Sequence, residues 1–357
     1  MSTKPFVGAR AEEFVMHRVN ARLRTSGWRE SVIPYMGYGT NDHIRVLARV
    51  VLRPSDPQTQ LGQAADNFLG QRGWRNFMSA PVPRAEVSVS MAGSRVEVRT
   101  DRSGYLDVRL QIDGLTPGEH HAELITPDGT TTRLPVLVSS SEETFGLVSD
   151  LDDTVISTSL PRLFIAAWNS FVVTEEGRRA VPGMARMYQR MLAEHPGAPV
   201  IYVSTGAWNT YPFLKRFLAR HDFPQGAMLL TDWGPTNTGW FRSGPEHKRT
   251  SLRELARDFP NVRWVLVGDD GQHDPSLYGE FAELQPDRVR AIALRELSMT
   301  EQVLAHGSTT VLADDDDVTW SPDKAPEVRA PDGDQLWPLL KAVLDEDEHR
   351  ADGKEKN

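Results

Sequence analysis

The chain has 357 residues, a net charge of −9 and no cysteine; 39% of its residues are hydrophobic and 25% are charged. This length and balance predict a soluble globular protein of two domains. The missing cysteines exclude disulfides, thiolate zinc sites and cysteine nucleophiles, and the acidic balance argues against nucleic acid as a partner. No apolar run is long enough to span a bilayer. The first 20 residues have no continuous apolar core, so a cytoplasmic protein is expected, and its oligomeric state stays open.

Residues 1–30 are expected to be an N-terminal helical segment, with the helix over residues 8–25. Val15, Val19 and Leu23 recur at helical spacing, and five arginines make the segment basic. One interpretation is a helix packed on the following domain. The other is peripheral attachment at a membrane surface, because basic amphipathic helices bind anionic lipid.

Residues 31–140 are expected to form an antiparallel β-sandwich that supports or targets the rest of the protein. Short segments with a period of two, beginning with Ile44–Leu52, are separated by turn signals at the spacing typical of a sandwich. The stretch Thr100–Leu106 resembles the repeat hairpin of transthyretin-like and carboxypeptidase-regulatory domains. His120 and His121 are adjacent on a predicted strand and so point to opposite faces, which favours surface residues over a ligand pair.

Residues 144–345 alternate between strands and helices, which predicts an α/β domain with a Rossmann-like parallel sheet. The predicted strands are 144–149, 199–203, 227–230, 262–267 and 289–294. Residues 346–357 are rich in charge and are expected to be a disordered tail.

Polar residues stand at the carboxyl ends of the predicted strands, with one lysine ahead of the fourth strand. Open α/β sheets bind ligands at that edge. The candidate site residues are Asp150, Asp152, Thr154, Ser204, Thr205, Gly206, Lys248, Asp269 and Asp274.

Two of the aspartates have the spacing that phosphoryl transfer needs. Asp150, presented ionised at a strand end, can attack phosphorus and form an aspartyl-phosphate. Asp152 lies two residues later, where it can protonate the leaving alcohol and then deprotonate water. Phosphoryl transfer gathers negative charge, which predicts a cation.

The expected cation is Mg²⁺, because it prefers oxygen ligands. Its protein ligands would be the carboxylates of Asp150 and Asp269 and the main-chain carbonyl of Asp152. Asp274 would position Asp269 or water, and Thr154 would hold the turn after the first strand.

The remaining residues are expected to bind the phosphoryl group. Ser204 and the backbone N–H groups of Thr205 and Gly206 would contact its oxygens, and Lys248 would neutralise the intermediate. A structural carboxylate network is the alternative for the aspartates, a helix N-cap for Ser204, and a solvated helix-start lysine for Lys248.

These motifs, in this order, resemble the four-motif pattern of the haloacid dehalogenase superfamily. Three segments are similar more narrowly to the actin-patch-associated phosphatidate phosphatase family: Ser149–Thr154, Tyr202–Pro212 and Gly268–Tyr278. The resemblance implies hydrolysis of phosphatidate to diacylglycerol and phosphate. The insertions between motifs are short, so little or no cap is expected, and an open site suits a membrane phospholipid.

Two rival functions stay open. One is the same chemistry on another phosphorylated substrate, either a phosphoprotein or a sugar phosphate. The other is a non-catalytic module that recognises a phosphorylated partner or membrane without turnover. Asp152 and Lys248 favour an enzyme, because a pure binder has no use for a general acid.

Overall fold

The computed structural model describes residues 18–54, 80–157, 178–231, 244–271, 273–298, 301 and 325–355. The chain divides into two compact units. Unit 1 comprises Met1–Ser140, Ala207–Tyr211 and Thr231–Ser243, and unit 2 comprises Ser141–Gly206, Pro212–Leu230 and Gly244–Asn357. Among the described helices, none is both long enough and apolar enough to cross a membrane.

The described part of unit 1 contains one helix and one mostly antiparallel sheet. Helix α1 covers residues 18–25. The described strands of unit 1 are β1 (Trp28–Pro34), β2 (Gly37–Gly39), β3 (His43–Pro54), β4 (Ala80–Pro81), β5 (Glu86–Met91), β6 (Ser94–Arg99), β7 (Tyr105–Gln111), β8 (Gly118–Ile125) and β9 (Thr131–Val138). Their main order is β1-β3-β2-β9-β8-β5-β6, and β4 and β7 also pair with β3. The short β2 runs parallel to β9. The antiparallel sheet was predicted, and its arrangement as a sandwich stays a prediction.

Strand β3 contributes many of the side chains in the core of unit 1. Ile44, Val46 and Val50 are fully buried, and Leu47 and Val51 on the opposite face are buried as well, whereas a period of two predicts burial of one face only. Trp208, in the Ala207–Tyr211 segment of this unit, stacks on Tyr35 with ring centroids 4.2 Å apart.

The N-terminal helix ends at the predicted residue but differs from its prediction in facing. It ends at residue 25, and Gly27 follows with a left-handed φ of 84°, which is typical of a helix C-terminus. Residues 28–30 therefore belong to β1. Val19 is 40% exposed, whereas Asn20 is buried and donates to the Pro81 carbonyl at 2.9 Å. The predicted apolar face is wrong at Val19, and residues 1–17 lie outside the described chain.

Unit 2 is an α/β unit around a six-stranded sheet. The sheet strands are β10 (Phe145–Asp150), β13 (Val200–Ala207), β14 (Ala227–Thr231), β15 (Arg263–Asp269), β16 (Val289–Arg295) and β17 (Glu327–Ala330), in the order β14-β13-β10-β15-β16-β17. Strand β10 pairs in parallel with β13 and β15, and β16 pairs in parallel with β15 and β17. The predicted parallel sheet is confirmed, and β17 was not predicted.

A short ribbon and five helices complete the described part of unit 2. Strands β11 (Ile156–Ser157) and β12 (Arg179–Ala180) pair as an antiparallel ribbon directly after the β10 turn. The helices are α2 (Met184–Glu194), α3 (Tyr211–Arg220), α4 (Gly244–Asp258), α5 (Asp274–Leu284) and α6 (Gly333–Glu355). Residues 158–177 and 232–243 lie outside the described chain, so the small cap stays a prediction.

Helix α6 corrects the predicted disordered tail. It continues to Glu355, where the sequence predicted disorder from residue 346. Asp347 accepts hydrogen bonds from Arg263 at 2.8 Å and from Arg290 at 2.9 Å. Arg290 also reaches Glu348 at 3.3 Å. The charges that suggested a solvated tail therefore attach the helix to residues of β15 and β16.

Candidate active site

Strand β10 delivers Asp150 to the middle of one sheet edge. All six of its residues are buried, which the continuous apolar run before Asp150 explains. Asp150 pairs with Val203 on β13, and Ser149 pairs with Val267 on β15. Ser204 and Asp269 follow those partners, so the register brings both to the edge at which Asp150 lies.

Lys248 lies between two of the predicted carboxylates. Its Nζ is 2.6 Å from Asp150 Oδ1 and 2.5 Å from Asp274 Oδ1. The lysine comes from helix α4 and is itself buried, so the solvated alternative does not describe it. A buried ammonium is stable only with such partners.

Three carboxylates face this one ammonium. Ligand oxygens of Asp150, Asp269 and Asp274 all lie within 4.8 Å of one another. Burial raises the pKa of Asp150 well above its ordinary value, against the opposing charge of Lys248. Burial, followed by the charge of Asp274, raises the pKa of Asp269 to about 8. The three carboxylates and one lysine would carry two net negative charges when fully ionised, so the metal-free site favours retained protons on its aspartates.

This cluster fits a hard divalent cation. All three side chains offer carboxylate oxygens, the ligands that such ions prefer. Asp274 Oδ2 is buried and has no hydrogen-bond partner among the described residues. An unpartnered buried carboxylate oxygen is costly, and a cation or an ordered water would satisfy it. Two net negative charges also match the charge of one divalent ion.

The cluster differs in one respect from the predicted ligand set. Asp274 was expected to position Asp269 or water, yet its own carboxylate lies in one cluster with those of Asp150 and Asp269. The Asp152 side chain is not part of that group, and the role of its main-chain carbonyl as a metal ligand stays a prediction.

Ser204 contacts the predicted proton shuttle. Its Oγ donates to Asp152 Oδ2 at 2.8 Å and accepts from the Gly206 backbone N–H at 2.9 Å. Helix α3 begins only at Tyr211, so Ser204 does not cap it. Asp152 is half-buried and Thr205 is exposed. Ser204 therefore orients Asp152, and its contact with a phosphoryl oxygen stays a prediction.

Main-chain hydrogen bonds close the turn after β10. The N–H of Ile156 donates to the Leu151 carbonyl at 3.0 Å, and the N–H of Asp153 donates to the Ile156 carbonyl at 2.9 Å. Asp153 has a φ of 59°, which is uncommon for a residue other than glycine. The Thr154 hydroxyl is buried and has no hydrogen-bond partner among the described residues, so it does not close this turn through a hydrogen bond.

Arg178 also belongs to this region, although no sequence motif includes it. It directly precedes β12 and is nearly buried, with its guanidinium carbon 4.7 Å from the centre of the Phe213 ring. Burial lowers the pKa of Arg178 to about 10, and the charge of Asp152 opposes that decrease. The ribbon after Thr154 thus brings a cation into the electrostatic field of Asp152.

Two further residues support the strand that carries Asp150. Ser149 Oγ donates to the Asp150 carbonyl at 2.6 Å and lies 2.7 Å from Tyr188 Oη on helix α2. Because the serine proton points to that carbonyl, the Tyr188 hydroxyl donates to Ser149. Burial raises the pKa of Tyr188, which keeps its proton in place.

Comparison with known proteins gives this geometry a context. Residues 145–296 match the family described as "Phosphatidate phosphatase APP1, catalytic domain". Phosphatidate phosphatase APP1 of Saccharomyces cerevisiae is 25% identical over 258 residues, which cover 66% of this chain and 42% of the yeast protein. An uncharacterized protein of Schizosaccharomyces pombe is 24% identical over 152 residues, which cover 42% of this chain and 25% of that protein. The chain spans less than half the length of these two relatives.

Two solved structures are distant matches. The HAD domain of the effector protein Lem4 from Legionella pneumophila has a TM-score of 0.30 and 13% identity, covering 44% of this chain and 87% of that one. XAC1771, a carbohydrate acetylesterase from Xanthomonas citri, has a TM-score of 0.26 and 14% identity, covering 77% of this chain and 74% of that one.

All nine residues predicted for the site lie in the described chain and within the matched segment, residues 145–296. The family match therefore covers the same segment as the carboxylate cluster. It confirms the predicted resemblance of residues 145–296 to the catalytic domain of phosphatidate phosphatase APP1.

Proposed function

We propose that the chain is a Mg²⁺-dependent phosphomonoesterase that hydrolyses phosphatidate to diacylglycerol and phosphate through an aspartyl-phosphate. The observation that carries this proposal is the cluster of Asp150, Asp269 and Asp274 around Lys248, within the segment that matches the family. The substrate comes from the similarity to the yeast enzyme.

In the first step, a carboxylate oxygen of Asp150 attacks phosphorus and the bond to the alcohol oxygen breaks. The electron pair of that bond leaves with the alcohol, which takes a proton from Asp152. Ser204 supports this role because its hydrogen bond keeps the Asp152 carboxyl in one orientation.

In the second step, Asp152 takes a proton from water, and the resulting nucleophile attacks phosphorus of the aspartyl-phosphate. The bond from phosphorus to the Asp150 oxygen breaks, which releases phosphate and restores the free aspartate. Lys248 stays protonated in both steps, because two carboxylates raise its pKa, and its charge stabilises the transferring group.

A bound Mg²⁺ would be held by Asp150, Asp269 and the Asp152 carbonyl, with Asp274 beside them, and it would supply positive charge for the phosphoryl oxygens. The raised pKa values of Asp150 and Asp269 support a need for such a charge. Ionisation of Asp150 is required for its attack, and Lys248 alone does not balance three carboxylates.

Phosphate release from a substrate panel tests this proposal. The panel contains phosphatidate in micelles, para-nitrophenyl phosphate, a phosphopeptide and a sugar phosphate, each with Mg²⁺ or with EDTA. We expect Mg²⁺-dependent release that is fastest from phosphatidate. Release from the phosphopeptide or sugar phosphate alone would replace the lipid assignment, and no release from any ester would favour a phosphate-recognising module without turnover.

The nucleophile is tested with a matched pair of variants. Asp150→Asn should abolish turnover and retain the far-UV circular dichroism of the wild type, because the amide cannot form the acyl-phosphate. Asp287→Asn, at an exposed aspartate, should behave as wild type. Wild-type turnover by Asp150→Asn would show that another residue attacks phosphorus.

A further inference from the structure

Arg295 is a buried cation at the catalytic edge of the sheet that no motif includes. It is the last residue of β16 and pairs in register with Asp269 on β15. Only 6% of its surface is exposed, although its side chain carries a full charge. A buried guanidinium is stable only when its N–H groups find acceptors, so those acceptors indicate its purpose.

The guanidinium connects three separate segments of unit 2. Its Nη1 donates to the Asp153 carbonyl at 2.7 Å, its Nε to the Pro331 carbonyl at 3.1 Å, and its Nη2 to Glu301 Oε1 at 2.5 Å. Glu301 supplies the opposite charge and is held in turn by Ser298, whose N–H and Oγ both donate to its other oxygen. Lysine could not replace this arrangement fully, because its ammonium lacks the planar fork of donors.

The contact with Asp153 explains why that residue keeps an unfavourable conformation. The left-handed region is uncommon for a residue other than glycine, and a residue there is held by its surroundings. Here both polar main-chain groups of Asp153 are engaged: its N–H by the Ile156 carbonyl and its C=O by Arg295. These two hydrogen bonds hold the backbone dihedral angles of Asp153 on both sides of its Cα atom.

Asp153 directly follows Asp152, so a change in the Asp153 backbone would shift the main chain that carries the Asp152 carboxyl. Arg295 also affects the other catalytic loop through its main chain, since its carbonyl accepts the Asp270 N–H at 2.8 Å. Asp270 is the neighbour of Asp269. One residue therefore joins the loop that carries the proton shuttle to the loop that carries a candidate metal ligand.

We propose that Arg295 is a positioning residue that keeps Asp152 aligned for proton transfer by holding the Asp153 carbonyl. This inference rests on the proposed function, because it assumes that Asp152 acts as the general acid. Arg295 does not touch the substrate in this account.

The test uses the different needs of two leaving groups. An alkyl phosphate, either short-chain phosphatidate or glycerol phosphate, releases a poor leaving group that needs a proton from Asp152. Para-nitrophenyl phosphate releases a stable phenolate that needs little protonation. For Arg295→Met we expect kcat/KM to fall at least about tenfold more for the alkyl ester than for the aryl ester. Arg295→Lys should lie between this variant and the wild type.

Arg290→Met is the matched control. Arg290 lies on the same strand, and its side chain is 11% exposed against 7% for Arg295. It also forms ion pairs, with Asp347 and Glu348, but it lies at the other end of the strand. Its loss should lower stability comparably and reduce kcat/KM for both esters by the same factor, if at all. Asp152→Asn should give the same leaving-group pattern as Arg295→Met, only larger.

The outcomes separate this inference from the proposed function. Suppose that the wild type hydrolyses alkyl esters, but Arg295→Met lowers kcat/KM by the same factor for both esters or not at all. This result overturns the role of Arg295 and leaves the proposed function standing. A wild type that hydrolyses no alkyl ester has no acid step to support, and this result overturns the inference together with the proposed function.

Discussion

Replacing Lys248 by methionine should destabilise the metal-free protein, because it removes the charge that neutralises two buried carboxylates. Lys248 Nζ lies within ion-pair distance of Asp150 and Asp274, and the side chains of both aspartates are at most 3% exposed. Breaking a buried ion pair by removing one partner costs about 3–5 kcal/mol. With a urea m-value of about 2 kcal/mol/M, the unfolding midpoint should fall by about 2 M.

The pH dependence of this loss gives a second readout. Burial already raises the pKa of Asp150 in the folded protein, and removal of the ammonium raises it further. The folded state then holds a proton that the unfolded state releases above its ordinary pKa, so stability falls as the pH rises. The difference between Lys248→Met and the wild type should therefore be larger at pH 8 than at pH 5.

Urea unfolding in EDTA, followed by far-UV circular dichroism at both pH values, measures these effects. Lys215→Met, at an exposed lysine of α3, is the control and should shift the free energy of unfolding by less than about 0.5 kcal/mol. The reasoning would be refuted by a Lys248→Met midpoint equal to that of the wild type at pH 8, or by a difference that does not change with pH.

Three other predictions concern the same edge of the sheet. Ser204→Ala should lower kcat/KM for alkyl phosphates about tenfold while changing the free energy of unfolding by only about 1 kcal/mol, which steady-state kinetics and urea titration measure. Arg178→Met should raise KM and the inhibition constant of orthovanadate about tenfold, because a cation near Asp152 is lost. Arg179→Met, at the exposed neighbour, should change neither constant. Equal effects of the two variants would contradict this prediction. Because burial raises the pKa of Asp269 to about 8, the folded metal-free protein keeps a proton on this residue. The Tm of the metal-free protein should therefore fall as the pH rises from 5 to 8, and Mg²⁺ should reverse the decrease at pH 8. Asp269→Asn should flatten that dependence, and a Tm that rises over this range in EDTA would contradict the prediction.

The sheet and most of its site could be predicted because the relevant signals are local. An apolar run that ends in Asp150 identifies a buried strand and its carboxyl end, and parallel strands bring such ends together. The same rule applies to Arg295, which directly follows the predicted strand 289–294, but an arginine there matches none of the acidic, hydroxyl or lysine motifs. Asp153 gave no signal, because its left-handed conformation depends on an arginine 142 positions later in the sequence.

Other features could not be predicted because they depend on partners far away in the sequence. Arg178 approaches Asp152 only through the ribbon that pairs β11 with β12. Residues 346–355 looked like a solvated tail, yet Asp347 is bound by arginines of two strands. The exposure of Val19 shows how little three apolar residues at helical spacing determine about facing in a short helix.

Gly268 has a consequence for how the carboxylate cluster could be manipulated. A Cβ atom at this position would lie 2.5 Å from Asp274 Oδ2 and 2.8 Å from the Tyr278 ring, closer than real side chains approach one another. Gly268 thus leaves the space that Asp274 occupies beside Lys248. A single added methyl group would therefore displace the Asp274 carboxylate or the chain around it while preserving every ionisable residue, and so would separate the effect of the position of this carboxylate from the effect of its charge.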